Sequence, residues 1–210
     1  MITGLAEAII SEISNGLPGE EVQYRMAPET RLEVTNELPP VDAGVLILLY
    51  PSGETVCTVL IKRTDYQGVH SGQVSFPGGK HESGDRDIIA TAIRETEEEL
   101  GIGLENCTLV GSLTRLHIPV SNSTVYPHIA CTGYRPAFCP DSKEVEGILE
   151  ISLPELMQPA CIRYTSRHIL GRRTRVPYYD INNRQVWGAT AMIISEFIEL
   201  IKRSGHFPPG

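Results

Sequence analysis

The apolar positions Leu5, Ala8, Ile9 and Ile13 recur at helical spacing and Asn15-Gly16 stops the run, so residues 3–14 read as an amphipathic helix. Residues 16–42 hold several prolines and little periodicity and read as a surface lead-in. Two short apolar runs, Ala43–Tyr50 and Thr55–Lys62, flank the turn signal Pro51-Ser52-Gly53 and predict a hairpin. Gly68–Gly79 is rich in glycine and polar residues, a loop anchored by Val74 and Phe76. The clearest helix runs from Asp85 to Leu100. Further strands are expected at Thr108–Leu116, Tyr126–Tyr134 and Val145–Ile151, with a short helix from Pro154 and weaker strands at Ile162–Ile169 and Val176–Ile181. Ala189–Arg203 closes the chain as an amphipathic helix ending at Ser204-Gly205. Strands and helices mix without regular βα alternation, which favours the α+β class.

Composition narrows the picture. At 210 residues, 41% hydrophobic and 21% charged, the chain suits one domain with a sizeable core. The organisation reads as an N-terminal helix and lead-in (1–24), a main domain (25–203) and a tail (204–210). A formal charge of −8 argues against nucleic acid as a partner, and it suits an anionic substrate only if metal ions offset the repulsion. No apolar run approaches the length of a membrane span, and Met1–Ile13 has no basic residue for a secretory signal, so a cytoplasmic location without membrane contact is expected. The cysteines Cys57, Cys107, Cys131, Cys139 and Cys161 are odd in number and form no CxxC pair, which fits free thiols.

Candidate chemistry gathers on the helix that ends Arg94-Glu95-Thr96-Glu97-Glu98-Glu99-Leu100. On a wheel of about 100° per residue, Ile88, Ile89, Ala92, Ile93, Thr96 and Leu100 share the face expected to meet the core. Glu95 and Glu99 lie about 40° apart at its edge, Glu98 about 60° from Glu95, and Glu97 on the opposite side. Like charges so close repel by about 0.2–0.5 kcal/mol per pair. A divalent cation bound by hard oxygen ligands reverses that sign. Arg94 can orient a neighbouring carboxylate. Gly78 and Gly79, just upstream, let the backbone approach a ligand, and a main-chain carbonyl can join a metal shell. A solvated acidic face is the alternative reading of the helix alone.

These residues together resemble the Nudix box: Gly79, Asp85, Arg94, Glu95, Glu98, Glu99, Gly101 and Ile102 fall on its pattern. Two departures stand out: eight residues, not seven, separate Asp85 from Arg94, and Thr96 replaces an apolar residue. The resemblance implies a Nudix-like α/β/α sandwich with a mixed sheet and a catalytic loop-helix-loop. It also implies a phosphoanhydride hydrolase that uses Mg²⁺ or Mn²⁺. Its metal ligands would be Glu95, Glu99, Glu98 and Gly79. Glu98, Arg94 and Glu95 would form the catalytic group, with Glu98 the preferred base.

Upstream, Arg63-Thr64 and Gly72-Gln73-Val74-Ser75-Phe76-Pro77-Gly78-Gly79 resemble the extra signature of the coenzyme A pyrophosphatase branch. Leu113–Asn122 and Val186–Ala191 are similar to later stretches of the same branch. That implies coenzyme A or an acyl-coenzyme A as substrate, with Arg63, Gln73, Phe76 and Lys80 as binding residues, and it allows a homodimer. Gly68 stands where the branch has an arginine. Either Lys80 or Arg63 compensates, which is the expectation, or recognition of the 3′-phosphate is weaker here; a strong preference for coenzyme A that survived loss of both would point to the region after residue 160. Trp187 reads as a core anchor, and neither His81 nor His117 is given a catalytic role. A pyrophosphatase for ADP-ribose or another nucleoside diphosphate derivative is the rival enzyme. A non-catalytic Nudix-fold sensor is the rival from another class.

Overall fold

The computed structural model describes residues 2–29, 38–64, 72–169 and 171–207. Its main sheet is built around β1 (Val41–Ser52). β1 turns at Gly53 into β2 (Thr55–Arg63), the expected hairpin, and runs parallel to β7 (Ser123–Cys131) on its other side. The short strands β3 (Val74–Ser75) and β4 (Gly78–Lys80) interrupt the expected loop; β3 pairs with β2, and β4 pairs with the first half of β1. The apolar stretch 108–116 breaks into β5 (Thr108–Ser112) and β6 (Leu116–Ile118), both antiparallel to β7. β8 (Val145–Ser152) extends the sheet beside β2.

β1 is apolar almost throughout because both of its faces are covered. Leu46, Leu48 and Tyr50 point into one cluster with Ala92 and Leu100 of α3 (Ile88–Leu100). Ile47 and Leu49 point into the other, with Leu5 and Ile9 of α1 (Ile2–Asn15) and Ile194, Phe197 and Ile201 of α5 (Gly188–Arg203). The result is the expected α/β/α sandwich. The lead-in is less superficial than its prolines suggested. Its short helix α2 (Glu20–Tyr24) packs on α5, and Val22, Gln23 and Met26 are buried. Glu196 of α5, fully buried, fixes this layer: its carboxylate accepts from Gly19 N (3.1 Å), Gln23 Nε2 (2.7 Å) and Thr114 Oγ1 (2.6 Å). A buried carboxylate is tolerated when its lone pairs are met in this way.

After the capped turn α4 (Leu153–Leu156), a second sheet forms from β9 (Ile162–Ile169), β10 (Arg172–Ile181) and β11 (Arg184–Trp187). Tyr179, Ile181 and Val186 join it to the α5 core. β11 is absent from the sequence reading. Its turn is Asn182-Asn183, both at positive φ (51° and 60°), a two-residue hairpin connection that asparagine tolerates. None of the described helices is long and apolar enough to cross a membrane.

Candidate active site

The acidic helix begins three residues later than the sequence pattern suggested. Asp87 caps α3, accepting from Ala90 N at 2.8 Å, and Gly101 ends it in the left-handed conformation. The extra residue relative to the family pattern is therefore taken up before the helix. Asp85 lies in that turn and folds back onto Arg94, accepting from Nε at 2.8 Å and Nη2 at 3.0 Å. This bidentate pair holds the Asp85 carboxyl well below the usual carboxylate range. Arg94 also reaches Glu95 Oε1 (3.0 Å) and Glu98 Oε2 (3.1 Å). Its guanidinium is thus a strut between the turn and the glutamates.

The helix face also differs from the wheel. Ile88, Ile89 and Ile93 are half-buried, whereas Thr91, Ala92, Thr96, Glu99 and Leu100 are buried. The helix rolls because β1 offers Gly44 beneath it: a Cβ there would stand 2.5 Å from Ile88 O and 3.0 Å from Ala92 N. Glu99 is carried inward by this roll, and its side chain is only 1% exposed. Its Oε2 accepts from Gly78 N at 2.8 Å. Oε1 has Arg63 Nη1 at 2.9 Å but accepts no directed hydrogen bond. Burial outweighs both partners and pushes the Glu99 carboxyl up to about 7. Burial likewise raises Glu95, against the pull of Arg94. The Glu95 carboxylate lies where a Cβ on residue 79 would be, 2.3–2.5 Å from that position. Glu98 is more exposed, at 62% of its side chain. Glu97 faces away, as expected, and its Oε1 accepts from Leu104 N at 2.7 Å to secure the segment after the helix.

The sequence reading missed Glu144, in the turn before β8, whose charge bears on both Glu95 and Glu99. Its turn follows Cys139 and Asp141, which bond back to the carbonyls of Leu100 and Glu99 at the end of α3. No spacing rule links residue 144 to the helix, so only the fold brings it in.

Beside the glutamates opens a largely apolar cavity of about 550 Å³, within the range of small-molecule sites. All four residues expected to bind substrate, Arg63, Gln73, Phe76 and Lys80, lie on its wall, as do Gly78 and Gly79. Phe76 is almost wholly buried, and Lys80 is exposed. Arg63 is committed to Glu99, which weakens its claim as the substitute for the missing motif arginine. Gly68 itself, and His70, lie outside the described residues. Trp187, expected as a core anchor, is half-buried and lines the cavity. His117 lines it too, while His81 bonds Thr91 Oγ1 at 2.8 Å.

These residues fit a hard divalent cation in two respects: the donors are all oxygens, and Glu99 Oε1 is buried with incomplete satisfaction. Among the described residues no three acidic, histidine or cysteine side chains are gathered into a ready cluster. Arginines engage the glutamates instead: Arg63 holds Glu99, and Arg94 holds Glu95 and Glu98. The five cysteines are all free thiols.

The site is thus an arginine-braced glutamate helix on a mixed sheet between helical layers, with a cavity beside it walled by Arg63, Gly78 and Gly79. The chain belongs to the Nudix family: residues 39–170 match the NUDIX domain. It is 34% identical over 146 residues to an uncharacterized Nudix hydrolase, NudL, of Yersinia pestis, covering 68% of this chain and 71% of that one. The corresponding protein of Yersinia pseudotuberculosis matches equally well. Among solved structures, the fold is similar to a MutT/nudix family protein from Enterococcus faecalis (TM-score 0.53, 17% identity, 97% of this chain and 76% of that one). It is also similar to the Nudix hydrolase RenU from M. smegmatis (TM-score 0.51, 13% identity, 83% and 92%). The chain is thus a Nudix pyrophosphohydrolase, and enzymes of this family generally use divalent metal ions.

The raised Glu99 carboxyl has a stability consequence. Its folded-state value of about 7 lies above the ordinary 4.5, so the folded protein binds the proton more tightly than the unfolded chain. The contribution is fully present below about 4.5 and is lost as pH rises through about 7. In chelator-containing buffer, the Tm of the wild type relative to Glu99→Gln is expected to fall between pH 5 and pH 8. A difference that stays flat over that window would show that Glu99 is ionised throughout.

Proposed function

We propose that this chain hydrolyses the diphosphate bond of coenzyme A or an acyl-coenzyme A, giving 4′-phosphopantetheine and adenosine 3′,5′-bisphosphate, with Mg²⁺ or Mn²⁺ as cofactor. The observation that carries this reading is the apolar cavity beside the glutamate helix, walled by Arg63, Gln73, Phe76 and Lys80. A long, uncharged pantetheine arm, with its gem-dimethyl and methylene groups, suits such a wall better than the second sugar-phosphate half of ADP-ribose. Glu95, Glu99 and Glu98, with the Gly79 backbone, are the groups that would hold the cation, which supplies charge neutralisation at the diphosphate oxygens. Asp85 and Arg94 orient Glu95 and Glu98. Gly78 N and Arg63 orient Glu99. On this reading Glu98 takes a proton from the attacking water, which its being the most exposed of the three supports.

The test is a substrate panel at equal metal, with products identified by mass spectrometry. Coenzyme A and short acyl derivatives are expected to give kcat/KM at least about tenfold above ADP-ribose, a difference of about 1.4 kcal/mol in transition-state stabilisation. A panel led by ADP-ribose or a nucleoside triphosphate overturns the substrate and spares the glutamate site.

A further inference from the structure

Three arginines of the described chain are half-buried: Arg63, Arg94 and Arg167. The first two are matched by glutamates. Arg167, on β9, has no carboxylate at ion-pair distance among the described residues. Its Nη2 donates to Gln185 Oε1 at 2.7 Å, its guanidinium carbon lies 4.3 Å from the centre of the Trp187 ring, and its Nε has no hydrogen-bond partner. A guanidinium carries five donors and stays charged, so removing it from water without an anion is costly. Burial pushes its proton affinity down, opposed in part by the Tyr178 phenol and by no carboxylate.

The surroundings point the same way. Residues 162–187 carry six of the chain's eighteen Lys and Arg residues and a single acid, Asp180, although the whole chain has a formal charge of −8. Asp180 is taken by Arg163 at 3.0 Å, and Arg175 is paired with Glu29 at 2.9 Å. The neighbours of Arg167 open on the substrate cavity: His168, Ile169 and Trp187 all line it. This wall abuts the strand of the upstream motif, where Thr190 Oγ1 donates to Val74 O at 3.1 Å. We propose that Arg167, set over Trp187, receives a phosphate monoester of the bound substrate, which on the coenzyme A reading is the 3′-phosphate. An arginine over an indole keeps in-plane N–H groups for the bidentate grip that a phosphate dianion prefers. Arg167 thereby supplies from the second sheet the contact that the motif lacks at Gly68.

The inference rests on the coenzyme A reading, and the experiment separates the two. Wild type, Arg167→Gln and Arg167→Lys are assayed with coenzyme A and with 3′-dephospho-coenzyme A. Binding of adenosine 3′,5′-bisphosphate and of adenosine 5′-monophosphate is measured by calorimetry on the same proteins. The wild type is expected to favour the 3′-phosphorylated member of each pair. Arg167→Gln should shrink that preference about ten- to a hundredfold, the range of a hydrogen bond to a charged group, and Arg167→Lys should restore part of it. A merely structural role lowers both members of a pair together and leaves the ratio intact, which overturns the proposal. So does a wild type that does not distinguish the members of either pair. If coenzyme A is not hydrolysed but the calorimetric preference is present and depends on Arg167, the coenzyme A reading fails and the phosphate site stands.

Discussion

Glu99→Gln is expected to lower turnover by at least about 10²-fold while leaving the protein folded, and at pH 8 slightly more stable. The two effects have one cause. The Glu99 side chain is 1% exposed, and burial raises its carboxyl to about 7, so the charge there costs folding free energy. Glutamine fills the same space and can still accept from Gly78 N, but it cannot carry the charge that a divalent cation requires. Glu95→Gln should also cost at least about 10²-fold, because that carboxylate occupies the space beside Gly79. Glu97→Gln should leave turnover within a few-fold, since its carboxylate serves Leu104 N on the far side of the helix. Steady-state kinetics together with thermal melts decide the matter. Equal losses for Glu97→Gln and Glu99→Gln would show that the chemistry does not lie on this helix face. Mg²⁺ or Mn²⁺ should raise the wild-type Tm more at pH 8 than at pH 5.5, because only the ionised glutamates attract the cation, and Glu99→Gln should shrink that rise.

Much of this architecture was legible before folding because its signals are local. The central strand reads as a continuous apolar run since both faces are covered, and the hairpin follows from two runs around Pro51-Ser52-Gly53. The glutamate spacing was legible because a helix fixes which residues share a side. The errors arose where tertiary packing overrides periodicity. The wheel set Ile88, Ile89 and Ile93 toward the core, but close approach to Gly44 rolls the helix and buries Glu99 and Thr91. The proline-rich lead-in hides Val22, Gln23 and Met26 because the Glu196 carboxylate collects donors from residues far apart in sequence. Arg167 and Glu144 were invisible as site residues for the same reason: each reaches its place through a connection that no local pattern encodes.

The adjacent glycines of the box separate fold from chemistry. Gly78 adopts φ 145°. A Cβ there would stand 2.3 Å from Gly44 O and 2.6 Å from Val45 Cα, both backbone atoms of the central strand. Neither can yield without breaking the β1–β4 pairing, and the conformation itself disfavours an L side chain. Gly78→Ala should therefore destabilise by about 3 kcal/mol or more, combining backbone strain with steric displacement in a packed interior. At Gly79 the atoms in the way belong to the Glu95 carboxylate, 2.3–2.5 Å from the added carbon. That is the free end of a flexible side chain, able to swing aside at little cost to the fold. Gly79→Ala should accordingly lose no more than about 1 kcal/mol of stability, yet lower turnover by about 10²-fold, because the carboxylate that yields is the one the chemistry needs. Denaturant melts and kcat measured on both variants give a two-by-two outcome. If Gly79→Ala turns over normally, the position of Glu95 against residue 79 has no part in catalysis. If Gly78→Ala melts like the wild type, the close contact between β4 and β1 is not the constraint that keeps glycine at that position.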